Sequence, residues 1–172
     1  GGDAAQMVNT NRRIRGPAQE RQYIIYAIIA DVPDGDPMVY VDKSLRRNLK
    51  DILRYHKRCN RYVQQLFEDG ENVRIFYVCD VDGTRSKAYR YVLAILRYFF
   101  ELDFDVVTYY KLYEAALDLS KETQKIYSTF SEIPLEALLQ TDVPHIQSNL
   151  PKMRRRMMEN QDSRLSVRLT YK

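Results

Sequence analysis

Residues 79–86, Cys-Asp-Val-Asp-Gly-Thr-Arg-Ser, hold the side chains best suited to chemistry in this 172-residue chain. Cys79 stands six positions before Arg85, and Ser86 follows the arginine directly. A thiolate is a strong nucleophile, and a guanidinium offers two parallel donors that match the oxygens of a phosphate group. The spacing therefore predicts a site for a phosphoryl group, with Cys79 as the nucleophile and Arg85 as the group that holds the phosphate oxygens.

The elements around this segment indicate how such a site would form. The largely apolar residues 73–78 predict a strand before it, and residues 86–101 predict a buried helix after it. A loop between a strand and a helix directs backbone N–H groups, together with the positive end of the helix, towards an anion. We therefore expect a phosphate-binding loop made of Asp80, Val81, Asp82, Gly83 and Thr84.

The pattern Cys-x5-Arg-Ser, with a strand before it and a helix after it, resembles the phosphate-binding loop of the cysteine-dependent protein tyrosine and dual-specificity phosphatases. The similarity covers roughly residues 23–119, because the helices expected on either side of the loop are also typical of that family. The resemblance implies a dual-specificity-phosphatase-like α/β fold. It also implies that Cys79 attacks phosphorus, that Arg85 holds the phosphate oxygens and that Ser86 assists hydrolysis of the phospho-enzyme. No cofactor and no metal are expected for this chemistry.

A phosphatase of this family also needs an aspartate that protonates the leaving oxygen. The family carries this residue on a mobile loop upstream of the cysteine, and Asp42 lies 37 positions before Cys79. The resemblance therefore makes Asp42 the first candidate, with Asp36 and Asp34 as reserves. The alternative interpretations are helix capping by Asp42 and ordinary turn chemistry for the other two residues.

The segment departs from the family pattern at three positions. Val78 stands where the family usually has histidine, Asp82 where it has glycine, and Thr84 where a second glycine is common. Carboxylates of Asp80 and Asp82 inside the pocket would repel phosphate and disfavour a thiolate. Two hypotheses remain open. We favour a catalytically impaired pseudophosphatase that binds phosphorylated ligands as a protein-interaction module over an active dual-specificity phosphatase with a Cys79 phospho-enzyme intermediate.

Residues 80–84, Asp-Val-Asp-Gly-Thr, also resemble the first motif of haloacid-dehalogenase-type phosphatases. That resemblance implies a magnesium-dependent enzyme with Asp80 as nucleophile and Asp82 as acid and base. The position of the motif weighs against it, since 79 residues precede Asp80 and Arg85 follows where an apolar residue is usual. The 88 residues after Thr84 also contain no adjacent acidic pair for the metal. We keep this interpretation as a minor alternative.

The apolar pattern predicts an α/β domain with a central sheet flanked by helices. Ser44 and Asp105 are expected to cap helices. The expected strands cover residues 23–32, 38–41 and 73–78, and the expected helices cover residues 44–68, 86–101 and 106–119. The expected organisation is a flexible leader (1–20), a phosphatase-like domain (21–130) and an extended or helical basic C-terminal segment (131–172).

The net charge of +4 is concentrated near the end of the chain. Residues 145–172 carry seven Lys/Arg against two acidic residues, so the other residues sum to about neutrality. We expect Arg154, Arg155 and Arg156 to form a partner-binding surface for an acidic partner, a phosphoinositide or RNA, beside the phosphoprotein or other protein partner of the domain. Two cysteines make no disulfide scaffold, and no apolar run is long enough to span a bilayer. The expected location is cytoplasmic or nuclear.

Overall fold

Four strands form one mixed sheet, and helices cover both of its faces. The computed structural model describes residues 19–108 and 119–144. In chain order the elements are β1 (Arg21–Asp31), β2 (Met38–Leu45), α1 (Leu49–Cys59), α2 (Arg61–Asp69), β3 (Glu71–Gly83), α3 (Arg85–Glu101), β4 (Asp105–Val106), α4 (Lys121–Ser131) and α5 (Leu135–Leu138). The strand order is β3–β1–β2–β4, with β1 antiparallel to β2 and β3, and β4 parallel to β2. The prediction of an α/β fold with a central sheet flanked by helices is confirmed.

Strand β1 lies at the centre of the sheet because its apolar run, residues 23–30, is buried on both faces. Ile25 and Ile29 join a core that includes side chains of α3 and α4. Ile24 and Ile28 join a second core that includes side chains of α1 and α2. The protein is therefore built of three layers, with the sheet between two layers of helices.

Asn60 divides the single helix predicted for residues 44–68 into α1 and α2. Its side-chain oxygen accepts hydrogen bonds from the backbone N–H groups of Tyr62 at 2.9 Å and Val63 at 3.2 Å. Asparagine is a strong N-cap because its side chain satisfies donors that have no partner inside a new helix. The prediction of one long helix is wrong for this reason.

Two predicted helix caps are strand residues instead. Ser44 lies in β2, and Asn48 caps α1 in its place. Asp105 begins the short strand β4 and pairs with Met38 of β2. Residues 109–118 of the helix predicted there lie outside the described residues. Ser44 pairs with Ile24 of β1, and the Asp105 N–H donates to the Pro37 carbonyl just before β2. A local capping signal does not reveal such partners.

The folded unit continues past the predicted domain boundary at residue 130. Ile133 and Leu138 are buried in the core with Phe130, and Gln140 forms a β-bridge to Tyr77. Most of the predicted leader and of the predicted basic segment, including Arg154, Arg155 and Arg156, lies outside the described residues. Among the helices described, none combines the length and apolar character needed to cross a membrane.

Candidate functional site

The segment predicted to be a phosphate-binding loop is mostly strand, so the prediction of a loop conformation is wrong, while phosphate binding by these residues stays a prediction. Strand β3 extends to Gly83, and Cys79 and Gly83 pair with Ile25 and Arg21 of β1. An antiparallel ladder directs backbone N–H groups to its neighbouring strand or to alternate sides, so they do not converge on one anion. Residues 79–82 alternate between the two faces of the sheet, as side chains of a strand do. The aspartates and the glycine of this segment are typical of a loop, and for that reason the strand was not predicted.

Cys79 lies in a different environment from Arg85 and Ser86, the other two residues of the Cys-x5-Arg-Ser pattern. Cys79 is 3% exposed and belongs to the apolar core beneath α3 and α4. Arg85 and Ser86 are exposed in the first turn of α3, which Thr84 caps by accepting a hydrogen bond from the Lys87 N–H at 3.2 Å. A thiol in apolar surroundings is inert compared with one in an electropositive, accessible pocket.

The side chain of Asp80, the nucleophile of the minor alternative, forms a salt bridge. Its carboxylate lies 2.5 Å from Nη1 of Arg46, and the two side chains are 3% and 16% exposed. Nη2 of Arg46 donates to the carbonyl oxygen of Pro144 at 2.5 Å. Asp82 is half-buried, and its backbone carbonyl accepts a hydrogen bond from Lys87 Nζ at 3.0 Å. Within residues 19–108 and 119–144, no group of three or more acidic, histidine or cysteine side chains could hold a metal ion.

Asp42, the predicted general acid, is buried in strand β2 and takes part in a different group of residues. It accepts hydrogen bonds from the Tyr40 hydroxyl at 2.9 Å and from the Lys43 backbone N–H at 2.8 Å. Asp34 and Asp36 lie exposed in the turn before β2. The structure does not place any of these three aspartates on a loop beside Cys79.

Five residues from β1, β2 and the α1–α2 junction form a hydrogen-bonded group that we call the Tyr–His network: Tyr26, Tyr40, Asp42, His56 and Asn60. Tyr26 and Asp42 are paired across the two strands, and Tyr40 lies on the same face of β2 as Asp42. Helix α1 contributes His56, and the junction contributes Asn60. The network therefore ties the helix layer to the two central strands.

The capping role of Asn60 fixes the direction of every hydrogen bond that it makes. Because its oxygen accepts from the α2 backbone, its amide nitrogen donates to the Tyr40 hydroxyl at 3.1 Å and to His56 Nδ1 at 3.2 Å. The neutral His56 ring then carries its proton on Nε2, which donates to the Tyr26 hydroxyl oxygen at 2.5 Å. Burial lowers the pKa of His56 from 6.5, opposed by Asp42 and reinforced by Arg47. The network thus holds a neutral imidazole with defined donor and acceptor atoms.

The outer side of α1 and its flanks form a strongly basic surface. Residues 43–61 contain eight Lys/Arg and one acidic residue, Asp51. Six of these basic side chains are exposed and form what we call the basic face: Arg47, Lys50, Arg54, Lys57, Arg58 and Arg61. The opposite side of the helix buries Leu49 and Ile52 against the sheet. The basic side chains of α1 therefore face away from the side that packs on the sheet.

The spacing of the basic face suits an extended anion. Lys50, Arg54 and Arg58 follow one another at four-residue intervals, so their Cα atoms rise by about 6 Å each along the helix. The ion pair between Arg54 and Asp51 is exposed, with side chains 73% and 59% accessible, and water screens it. Asp51 therefore offsets one of the three positive charges, and the row keeps a net positive charge.

The sequence prediction missed this surface because it averaged charge over the whole domain. Acidic residues elsewhere balance the basic face, so the sum over residues 1–144 is close to neutral. A shorter window over residues 43–61 would have detected it.

No family model, curated protein or solved structure matches the chain.

Proposed function

We propose that this protein binds nucleic acid through the basic face of α1, which contacts the phosphodiester backbone. The observation that carries the proposal is the set of six exposed Lys/Arg side chains on one helix and its flanks, with a single acidic residue among them. Lysine and arginine contacts to phosphates supply most of the affinity of sequence-independent nucleic-acid binding. The proposed function is that of a binding module.

The arrangement of α1 favours a polyanion over a membrane surface. A helix that binds at a lipid interface buries its apolar side among the acyl chains. In α1 this side is already buried in the protein, since Leu49 is 5% and Ile52 is 2% exposed. What remains for a ligand is a row of cations, and guanidinium groups match phosphate oxygens with two parallel hydrogen bonds.

The Tyr–His network supports the proposal by holding α1 in place. His56 and Asn60 bond the end of α1 to Tyr26 and Tyr40 in the central strands. A surface that binds a regular polymer gains affinity when its charges are already positioned, because less conformational freedom is lost on binding. We regard these four residues as positioning residues for the basic face.

The phosphatase and pseudophosphatase functions, and the dual-specificity-phosphatase-like arrangement of the elements, stay predictions. They depend on residues 79–86, where the strand conformation and the burial of Cys79 give them little support. We expect phosphate groups to be bound by the basic face of α1 and not by residues 79–86. Binding of RNA or another acidic partner by Arg154, Arg155 and Arg156 also stays a prediction.

The test is fluorescence anisotropy of a labelled 20-nucleotide DNA strand and its duplex, titrated with the full chain at several salt concentrations. We expect binding that weakens with salt, with a log–log slope of about −0.7 to −0.9 per phosphate contacted. The double variant Arg54→Glu/Arg58→Glu should weaken binding at least about tenfold and reduce the slope by about two. Lys121→Glu/Lys125→Glu is the matched control, since it reverses two exposed charges on α4.

Three results would overturn the proposal. One is the absence of salt-dependent binding to either DNA. Another is an equal loss of affinity in the α4 control variant. The third is binding that disappears when Arg154, Arg155 and Arg156 are changed to glutamate but persists in the α1 variant. If the protein binds phosphatidylserine vesicles but not DNA, the ligand of the basic face is a membrane surface and the proposal is also overturned.

A further inference from the structure

One large aromatic side chain is exposed on the basic side of the described residues. Tyr55 in α1 is 50% exposed, the highest value among the large hydrophobic side chains there. Phe100 is also exposed, at 38%, but it lines a cleft of about 670 Å³ that contains five carboxylates. Among the residues that the structure describes, Tyr55 is therefore the exposed aromatic side chain whose surroundings attract phosphate.

The neighbours of Tyr55 hold its ring beside the cations. The ring meets the His56 ring edge-on, with centroids 5.8 Å apart and planes at 62°. The Arg47 guanidinium lies 6.0 Å from the Tyr55 ring centroid, at the outer limit of a cation–π contact. Since the Tyr–His network fixes His56, the ring rests on an ordered neighbour at the border of the basic face.

We infer that Tyr55 stacks on an unpaired base and that the ligand of the basic face is single-stranded nucleic acid. This inference rests on the proposed function, because the stacking residue needs the phosphate contacts beside it. Bases inside a duplex are stacked on one another and expose only their edges, whereas bases of a single strand offer their faces to aromatic side chains. Arg47 and Arg58, which lies three residues after Tyr55 on α1, would contact the phosphates that flank the stacked base.

The inference is tested with three labelled probes of the same length: a single strand, the matching duplex, and a single strand whose central nucleotides lack bases. We expect the intact single strand to bind about five- to hundredfold more tightly than the abasic strand at equal salt, which is the range of one stacked base. Tyr55→Ala should remove this difference and leave duplex affinity and the salt slope unchanged. Tyr55→Phe should retain it, because the ring supplies the stacking.

Phe100→Ala is the matched control, since it removes an exposed ring from the acidic cleft and should leave all three affinities unchanged. Far-ultraviolet circular dichroism checks that each variant is folded. Tighter binding of the duplex, or equal losses on all probes in Tyr55→Ala, would overturn the inference while the proposed function stands. Absence of salt-dependent binding to every probe would overturn the proposed function and this inference together.

Discussion

The Nε2 atom of His56 lies 2.5 Å from the hydroxyl oxygen of Tyr26, and this hydrogen bond joins helix α1 directly to the central strand of the sheet. On the other side of the ring, Nδ1 accepts a hydrogen bond from Asn60. A second proton on the ring would oppose that bond, because Nδ1 would become a donor facing a donor. The hydrogen bonds of the network therefore stabilise the neutral form of His56.

We expect this relationship to make stability depend on pH. The pKa of His56 is lowered from 6.5 in the folded protein, so the unfolded chain binds more protons as the pH falls below that value. The stabilisation is complete above about pH 6.5 and is lost as the pH falls through the folded-state pKa. Urea denaturation of the wild type between about pH 7.5 and about pH 5 should show this loss, and His56→Gln should show a smaller one. Parallel curves for the two proteins would contradict the prediction.

Asn60→Ala should destabilise the protein by about 2–4 kcal/mol. The substitution removes a helix cap, typically about 1 kcal/mol, and leaves buried partners in Tyr40 and His56 without their donor, at about 1–3 kcal/mol. Asn60→Asp is the informative comparison, because a carboxylate keeps the cap acceptor and lacks the amide donor. It should recover only the capping part of the loss. Urea denaturation measures both, and a loss below about 0.5 kcal/mol in Asn60→Ala would show that the network does not stabilise the fold.

The salt bridge between Arg46 and Asp80 should matter far more than the one between Arg54 and Asp51. Arg46→Ala leaves the Asp80 carboxylate, 3% exposed, without the guanidinium, and we expect a loss of about 2–3 kcal/mol. Arg54→Ala breaks an exposed pair and should cost no more than about 1 kcal/mol. Thermal or urea denaturation of the two variants gives the comparison. Equal effects would mean that the buried Arg46–Asp80 pair stabilises the fold no more than an exposed pair does.

The two cysteines should differ in reactivity. Cys59 is exposed and Cys79 is buried, so a thiol reagent such as dithiobisnitrobenzoate should modify one cysteine rapidly in the native protein and both in denaturant. Cys59→Ser should abolish the rapid phase, and Cys79→Ser should leave it intact. Two rapid thiols in the native wild type would show that Cys79 is accessible.

Burial of Cys79 also leads to an expectation for catalysis. We expect no metal-free hydrolysis of an aryl phosphate that depends on Cys79, because the thiol faces the apolar core and not a phosphate pocket. The assay compares the wild type with Cys79→Ser under identical conditions. Turnover by the wild type that disappears in the variant would support the phosphatase prediction and contradict this one.

Much of the scaffold follows from local patterns in the sequence. The apolar run from Tyr23 predicts the buried strand that the structure shows as Arg21–Asp31, and residues 86–101 predict a helix that the structure shows as Arg85–Glu101. Both are set by neighbours close in sequence, through an apolar run or a helical repeat. The α/β class follows from such elements. The basic character of residues 43–61 can also be read from the sequence when net charge is summed over a short window.

The roles of the polar residues depend on contacts between segments that are distant in sequence. Whether residues 79–83 form a loop or a strand depends on pairing with β1, and the role of Asp80 depends on Arg46, 34 residues away. Asp42, which the sequence allowed as a general acid, accepts a hydrogen bond from nearby Tyr40, and the fold adds Asn60, 20 residues from Tyr40, which donates to the same hydroxyl. A strand edge and a buried carboxylate acquire their partners from distant parts of the chain, so their hydrogen bonds are fixed by packing and not by local sequence.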